Sequence, residues 1–336
     1  MQHVTIPAGY VPPLPLYELQ RAIEFIKSSF QLNLRNALHL RRVSAPLLVD
    51  GASGLNDNLN GVERPVDFDI PAAHTRGEIV QSLAKWKRAA LQRYGFQPGS
   101  GLYTDMNAIR RDEDPLDNLP SVYVDQWDWE KILRPGERNE GYLRDTVERI
   151  VDAICDTNDS LRWEFPVLHT VLRREVSFVT TQELEDLYPD LTPSARENAY
   201  VRAHPTTFVM QIGHKLRSGK PHDGRAPDYD DWTLNGDILF WNPRLERAFE
   251  VSSMGIRVDP AAMDRQLTLA GCDDRRTLPF HRALLAGEMP QTIGGGIGQS
   301  RLCMLMLGVC HIGEVQAGIW DPETHRICEA AGITLL

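Results

Sequence analysis

Gly294-Gly295-Gly296-Ile297-Gly298-Gln299-Ser300-Arg301 runs directly into Leu302, Leu305, Met306 and Val309, which recur at helical spacing. A glycine-rich strand or turn that opens a helix lets the backbone approach a nucleotide closely, and Arg301, in the first turn, can reach phosphate. The stretch is not a P-loop, because GxxxxGK followed by Ser or Thr is absent, and neither is it a Rossmann GxGxxG. A purely structural glycine turn is the competing reading.

Upstream, strand signals fall at 122–129, 207–212, 238–241 and 249–258, separated mostly by polar turns rather than by regular crossover helices. That pattern predicts an α+β fold with a largely antiparallel sheet flanked by helices, not a doubly wound parallel one. Leu16, Leu19, Ile23, Ile26 and Phe30 share one helical face and predict a first amphipathic helix. Residues 38–49 read as a strand interrupted at Pro46, which cannot donate to a sheet ladder and so favours an edge or an interface. Stretches 98–107, 134–139 and 218–231 read as loops, none long enough to divide the chain. The expectation is a single catalytic domain over 1–336, with residues 1–15 as an N-terminal extension.

Four constellations carry polar chemistry. If Ser82 caps a helix, then Leu83, Lys87, Ala90 and Leu91 fall on one face, with Lys85 and Arg88 pointing elsewhere. A lysine on an apolar stripe needs an anion, either a structural carboxylate or a substrate's. Along 121–130 (SVYVDQWDWE), period-two alternation puts Gln126 and Asp128 on the face of Val122 and Val124, a plausible pocket wall. RRDED at 110–114 offers Arg110, whose planar fork suits a phosphate, although such runs are often solvated. Glu250, between Phe249 and Val251, faces away from any core those two reach. With Asp237 it makes a reasonable Mg²⁺ pair, since that ion takes only one or two protein carboxylates. Exposed acids on a half-solvated sheet are the alternative.

Composition narrows the field. The 336 residues carry a formal net charge of −10, which argues against a surface that neutralises many phosphates, so no nucleic-acid partner is expected. Cys155, Cys272, Cys303, Cys310 and Cys328 are odd in number and form no CxxC pair, which fits neither a disulfide framework nor a zinc site and points to the cytoplasm. The opening MQHVTIPAGY lacks the basic start and apolar stretch of a secretory signal, and no run of about 20 apolar residues occurs, so no membrane association is expected.

Taken together these segments resemble the catalytic domain of class II aminoacyl-tRNA synthetases. Helix, strand and Pro46 look like that class's first motif at a dimer interface, Arg110 with its following acids like the second, and GGGIGQSR ending at Arg301 like the third. A closer resemblance is to the ammonia-dependent asparagine synthetases related to the aspartyl and asparaginyl branch. It rests on GLNDNLNG (54–61), SLAKWKR (82–88), GLYTDM (101–106), SVYVDQWDWE (121–130), RAPDYDDW (225–232), LNGDI (234–238), SSMGIRVD (252–259) and GEMPQTIGGGIGQSRL (287–302). Two departures are Gln81, where some members carry His, and a short link from Asp231-Trp232 to Leu234-Asn235.

The resemblance implies amidation of L-aspartate by ammonia through β-aspartyl-AMP, with ATP as co-substrate, Mg²⁺ as cofactor and a homodimer as the assembly. It assigns Arg110 to the α-phosphate, Arg301 to the γ-phosphate end, Gly296 to the nucleotide, and Asp237 and Glu250 to the metal. Lys87 would neutralise a substrate carboxylate. Gln126, Asp128 and Asp230 would contact the aspartate amino group, Ser253 and Arg257 its carboxylates, and Asp57 the ammonia proton. No Cys stands at position 2 for a glutaminase and no anticodon-binding barrel fits ahead of residue 16, so ammonia is expected from solution. The alternatives are a stand-alone synthetase paralogue that passes an adenylate to another acceptor, and a regulatory module that binds without turnover.

Overall fold

The computed structural model describes residues 4–57, 59 and 63–336; Asn58, Asn60 and Gly61 of the GLNDNLNG segment lie outside the described residues. In chain order the elements are α1 (Leu16–Leu38), β1 (Leu40–Arg42), β2 (Leu48–Asp50), β3 (Asp67–Ile70), β4 (Thr75–Ile79), α2 (Ala84–Arg93), β5 (Gly101–Ile109) and β6 (Tyr123–Ile132). They continue with α3 (Glu140–Glu164), β7 (Ser177–Thr180), α4 (Thr181–Leu187), α5 (Pro193–Ala203), β8 (Thr206–Met210), β9 (Asp230–Asn242) and β10 (Arg247–Arg257). Last come α6 (Pro260–Ala270), α7 (Pro279–Leu285), β11 (Thr292–Gly298), α8 (Gln299–Leu307) and α9 (Pro322–Ala330).

The main sheet runs β1-β5-β6-β11-β10-β9-β8-β7, and a smaller one runs β2-β4-β3. Every pairing from β5 to β8 is antiparallel, while β1 and β7 add parallel edges. The expected antiparallel α+β architecture is therefore the one observed. Strand alternation sends Trp127 and Trp129 of β6 to one face, where α1, α3 and α8 cover them in the largest apolar cluster. Phe30 of α1 meets Trp127 with ring centroids 4.7 Å apart. Burying side chains of this size stabilises the fold by roughly 1.5–3 kcal/mol each. Gln126, Asp128 and Glu130 consequently face the other side of the sheet.

Several sequence expectations need correction. The strand expected at 38–49 is two strands in different sheets, because Pro46 falls in the turn between them. Residues 98–107 are not a loop: β5 spans most of them, its polar Asp105 and Asn107 being satisfied by Arg42 and Tyr123. Leu16 opens α1 at 48% exposure and takes no part in its buried stripe. The short link at 231–235 is continuous β9, paired with β10 from Asp230 opposite Arg257.

Candidate active site

Helix α2 begins at Ala84 with Leu83 in the cap position, so Ser82 is not the N-cap. Its hydroxyl instead donates to Asp57 Oδ2 at 2.8 Å. The expected face of Leu83, Lys87, Ala90 and Leu91 is buried, but Lys85 and Arg88 are buried too and do not reach solvent. Lys85 donates to Asp228 Oδ2 at 3.1 Å, and Arg88 donates to the carbonyls of Pro290 and Val258 at 2.8 and 2.7 Å. Lys87 is 1% exposed and donates to Asp128 Oδ1 at 2.8 Å and to the Gly295 carbonyl at 3.0 Å. Burial lowers its pKa, and the Asp128 carboxylate opposes that shift. Asp128 Oδ2 has no partner among the described residues.

The glycine run explains how polar groups from β6 fit here. A Cβ at Gly294 would overlap the Glu130 carboxylate, and one at Gly296 would overlap the Gln126 amide oxygen. Only bare backbone in β11 leaves space above it for these β6 side chains. Glu130 accepts from Arg257 Nη2 at 2.8 Å and from the Thr292 hydroxyl at 2.6 Å, while Arg257 Nη1 donates to Asp230. Arginine flanked by two carboxylates fixes its fork at the end of β10.

Arg110 follows β5 directly, and its Nε is buried without a partner among the described residues. Arg301 Nη1 lies 3.3 Å from Glu250 Oε2 across the helix α8 entrance. Asp237 accepts from Arg225 Nη2 at 2.6 Å, and Arg225 Nη1 donates to the Ser253 hydroxyl. Burial pushes the Asp237 carboxyl up to about 7, Arg225 opposing the shift and Glu250 adding to it. Asp57 is 2% exposed, and burial raises its carboxyl, with Lys85 opposing and Asp228 reinforcing the shift.

One pocket of about 450 Å³ takes Asp57, Lys87, Arg110, Gln126, Asp128, Asp230, Asp237, Glu250, Ser253, Gly296, Arg257 and Arg301 in its wall. They come from α2, β6, β9, β10, β11, α8 and loops that include the one after β5, so residues as far apart as 57 and 301 meet only through the fold. That volume falls within the range of small-molecule sites.

The sequence profile of the aspartate-ammonia ligase family matches residues 17–332. The chain belongs to that family. A relative from Clostridium tetani (strain Massachusetts / E88), described as an aspartate--ammonia ligase, is 55% identical over 336 residues, which cover 100% of this chain and 98% of the relative. One from Limosilactobacillus reuteri (strain DSM 20016), with the same description, is 56% identical over 335 residues, covering 99% of each chain. Among solved structures the fold is similar to asparaginyl-tRNA synthetase from Pyrococcus horikoshii complexed with asparaginyl-adenylate, with TM-score 0.65, 14% identity, and coverage of 89% of this chain and 68% of that one. The Entamoeba histolytica asparaginyl-tRNA synthetase in complex with asparaginyl-adenylate gives TM-score 0.63 at 13% identity, covering 89% and 66%. The class II synthetase fold is thereby shown for the ligase.

Sequence reasoning passes over three groups of the ligase's site region. Glu130 is fully buried against Arg257, Arg225 bridges Asp237 and Ser253, and Asp228 accepts from Lys85, Arg275 and His281. Asp228 and Arg225 lie within the RAPDYDDW segment, but their partners are distant in sequence, so no local period marks them. Among the described residues no cluster of three or more His, Cys, Asp or Glu is placed to hold a metal ion. The fit to Mg²⁺ rests on Asp237 and Glu250, two pocket-facing carboxylates, with the Glu250 charge adding to the cost of ionising Asp237.

Proposed function

We propose that the ligase condenses L-aspartate with ammonia to give L-asparagine, forming β-aspartyl-AMP and releasing pyrophosphate and then AMP. The observation that carries this reading is the meeting of Lys87, Arg110, Arg257 and Arg301 with Asp57 and Asp230 in one pocket. A carboxylate resists nucleophiles and holds a poor leaving group, and adenylation removes both obstacles. An oxygen of the β-carboxylate bonds to the α-phosphorus as the bond to pyrophosphate breaks, and Arg110 neutralises charge on the phosphoryl oxygens. Ammonia nitrogen then attacks the acyl carbon, and AMP departs with the electron pair of the broken C–O bond.

Lys87 and Arg257 hold the substrate carboxylates, with Ser253 beside them, while Gln126, Asp128 and Asp230 accept from its ammonium. Asp57 takes the proton that the nitrogen must lose, since only uncharged amine is a nucleophile. Gly296 lets the nucleotide approach the sheet, and Arg301 meets its γ-phosphate end. Mg²⁺ bound at Asp237 and Glu250 would supply charge neutralisation at the polyphosphate. We place the enzyme in the cytoplasm as a homodimer; among the described residues no helix is long and apolar enough to cross a membrane.

Incubation with aspartate, ATP and ¹⁵N-ammonium should place label in the amide nitrogen and yield AMP and pyrophosphate in equal amounts. Pyrophosphate release without amide label would favour an adenylate passed to another acceptor and would reject the amidation reading.

A further inference from the structure

Arg225 occupies an unusual position for a pocket arginine. Its side chain is 10% exposed and donates two bonds, one to Asp237 and one to Ser253, while its Nε is buried with no partner among the described residues. Asp237 is one of the two carboxylates read above as metal ligands, and Glu250 stands beside it on the adjoining strand. A guanidinium against a carboxylate supplies the charge that a divalent cation would supply. Both cannot use Asp237 Oδ1 at once, because two positive groups a few ångströms apart repel.

The backbone around Arg225 is tethered on both sides. His222 Nε2 lies 2.9 Å from Glu197 Oε1, and downstream the Ala226 carbonyl accepts from Trp232 Nε1 at 3.3 Å and the Pro227 carbonyl from Gln266 Nε2 at 3.0 Å. Release of Asp237 therefore needs rotation of one long side chain and leaves the loop in place. The orphaned Nε and the two freed donors would then require acceptors, and polyphosphate oxygens are the acceptors that arrive with the metal.

We propose that Arg225 is a cation placeholder: in the ligand-free enzyme it neutralises Asp237, and on arrival of the metal–nucleotide it yields that carboxylate and turns its donors to phosphate. The proposal rests on the reading of Asp237 and Glu250 as the metal pair. It makes Arg225 a binding residue with two successive partners, and it explains why the metal and the nucleotide should bind together.

Mn²⁺ titration of the full chain, followed by electron paramagnetic resonance with and without ATP, tests it. Arg225→Gln should bind Mn²⁺ without nucleotide at least about tenfold more tightly than wild type, a modest change for removing a like charge beside the metal. Arg225→Lys, which keeps the charge, should stay near wild type. Calorimetry should show ATP binding to Arg225→Gln weakened at least about tenfold, the effect of losing charge-assisted bonds to phosphate. Unchanged nucleotide-free Mn²⁺ affinity in Arg225→Gln, with ATP-dependent Mn²⁺ binding retained in wild type and lost in Asp237→Asn, would overturn the placeholder while leaving the metal reading intact. Equal Mn²⁺ binding by wild type and Asp237→Asn in the presence of ATP would overturn both. Unweakened ATP binding by Arg225→Gln would overturn the transfer to phosphate.

Discussion

Lys87 is held at 1% exposure, and its carboxylate partner, Asp128, also faces the pocket. A purely structural pair would have no reason to leave Asp128 Oδ2 unbonded at a cavity wall. Lys87→Ala should therefore remove aspartate use, lowering kcat/KM for aspartate by at least about 100-fold, the scale of breaking a buried pair. Nucleotide binding, followed by calorimetry, should stay largely intact. Unchanged aspartate saturation would take Lys87 out of the site. At this scale much was readable in advance: Lys87 on an apolar stripe and Glu250 between Phe249 and Val251 announce themselves by period alone. Glu130 and Arg225 do not, because their burial depends on Arg257 and Asp237, partners that no local spacing connects to them.

Between elements, the buried carboxylate of Asp228 ties α2 through Lys85 to α7 through His281, with Arg275 as a third donor. Against the pull of burial, Lys85, His281 and Arg275 hold its pKa well below the usual carboxylate range. The knot fixes the segment that carries Arg225 and Asp230 into the pocket. The turn after α8 has a different electrostatic character. His311 caps the turn Ile312–Glu314, its Nδ1 accepting from Gly313 N at 3.0 Å and its ring edge-on to Trp320. Burial lowers its pKa from 6.5 to about 4. The unfolded chain thus takes the proton first, so this stabilisation is complete above pH 6.5 and is lost as pH falls toward about 4. The loss amounts to at most about 3 kcal/mol. His311→Asn, which keeps an acceptor but does not titrate, should lose correspondingly less stability than wild type between pH 7 and 4.5 in urea unfolding. Parallel declines would refute the assignment. Legibility at this scale was uneven. The glycine run opening α8, strands β6, β8 and β10 and the second half of β9 follow from pattern, but β7 and the start of β9 do not; β5 hides because Asp105 and Asn107 interrupt its apolar run and are satisfied only across strands.

On the scale of the whole molecule, the small β2-β4-β3 sheet leaves several apolar side chains partly exposed. A Cβ at Gly77 of β4 would meet Ile70 Cδ1 at 2.7 Å and Leu48 Cδ1 at 3.2 Å, so both side chains lean over the same side of that strand. Phe68, two residues from Ile70, shares that face, and Leu48 and Phe68 are 36% and 41% exposed. Leu47, beside Pro46, adds another apolar side chain at 52% exposure. Contiguous exposed apolar groups of this kind mark contact sites, and their place next to Pro46 coincides with the segment expected at a dimer interface. The proposed homodimer gives them their cover. Sedimentation equilibrium should return about twice the 38.0 kDa chain mass for wild type. Phe68→Asp should return the single-chain mass at micromolar concentration with unchanged circular dichroism, because a carboxylate buried in the interface without a partner costs several kcal/mol. A Phe68→Asp protein that stays dimeric would move the interface off the small sheet, and a monomeric wild type would remove the dimer altogether.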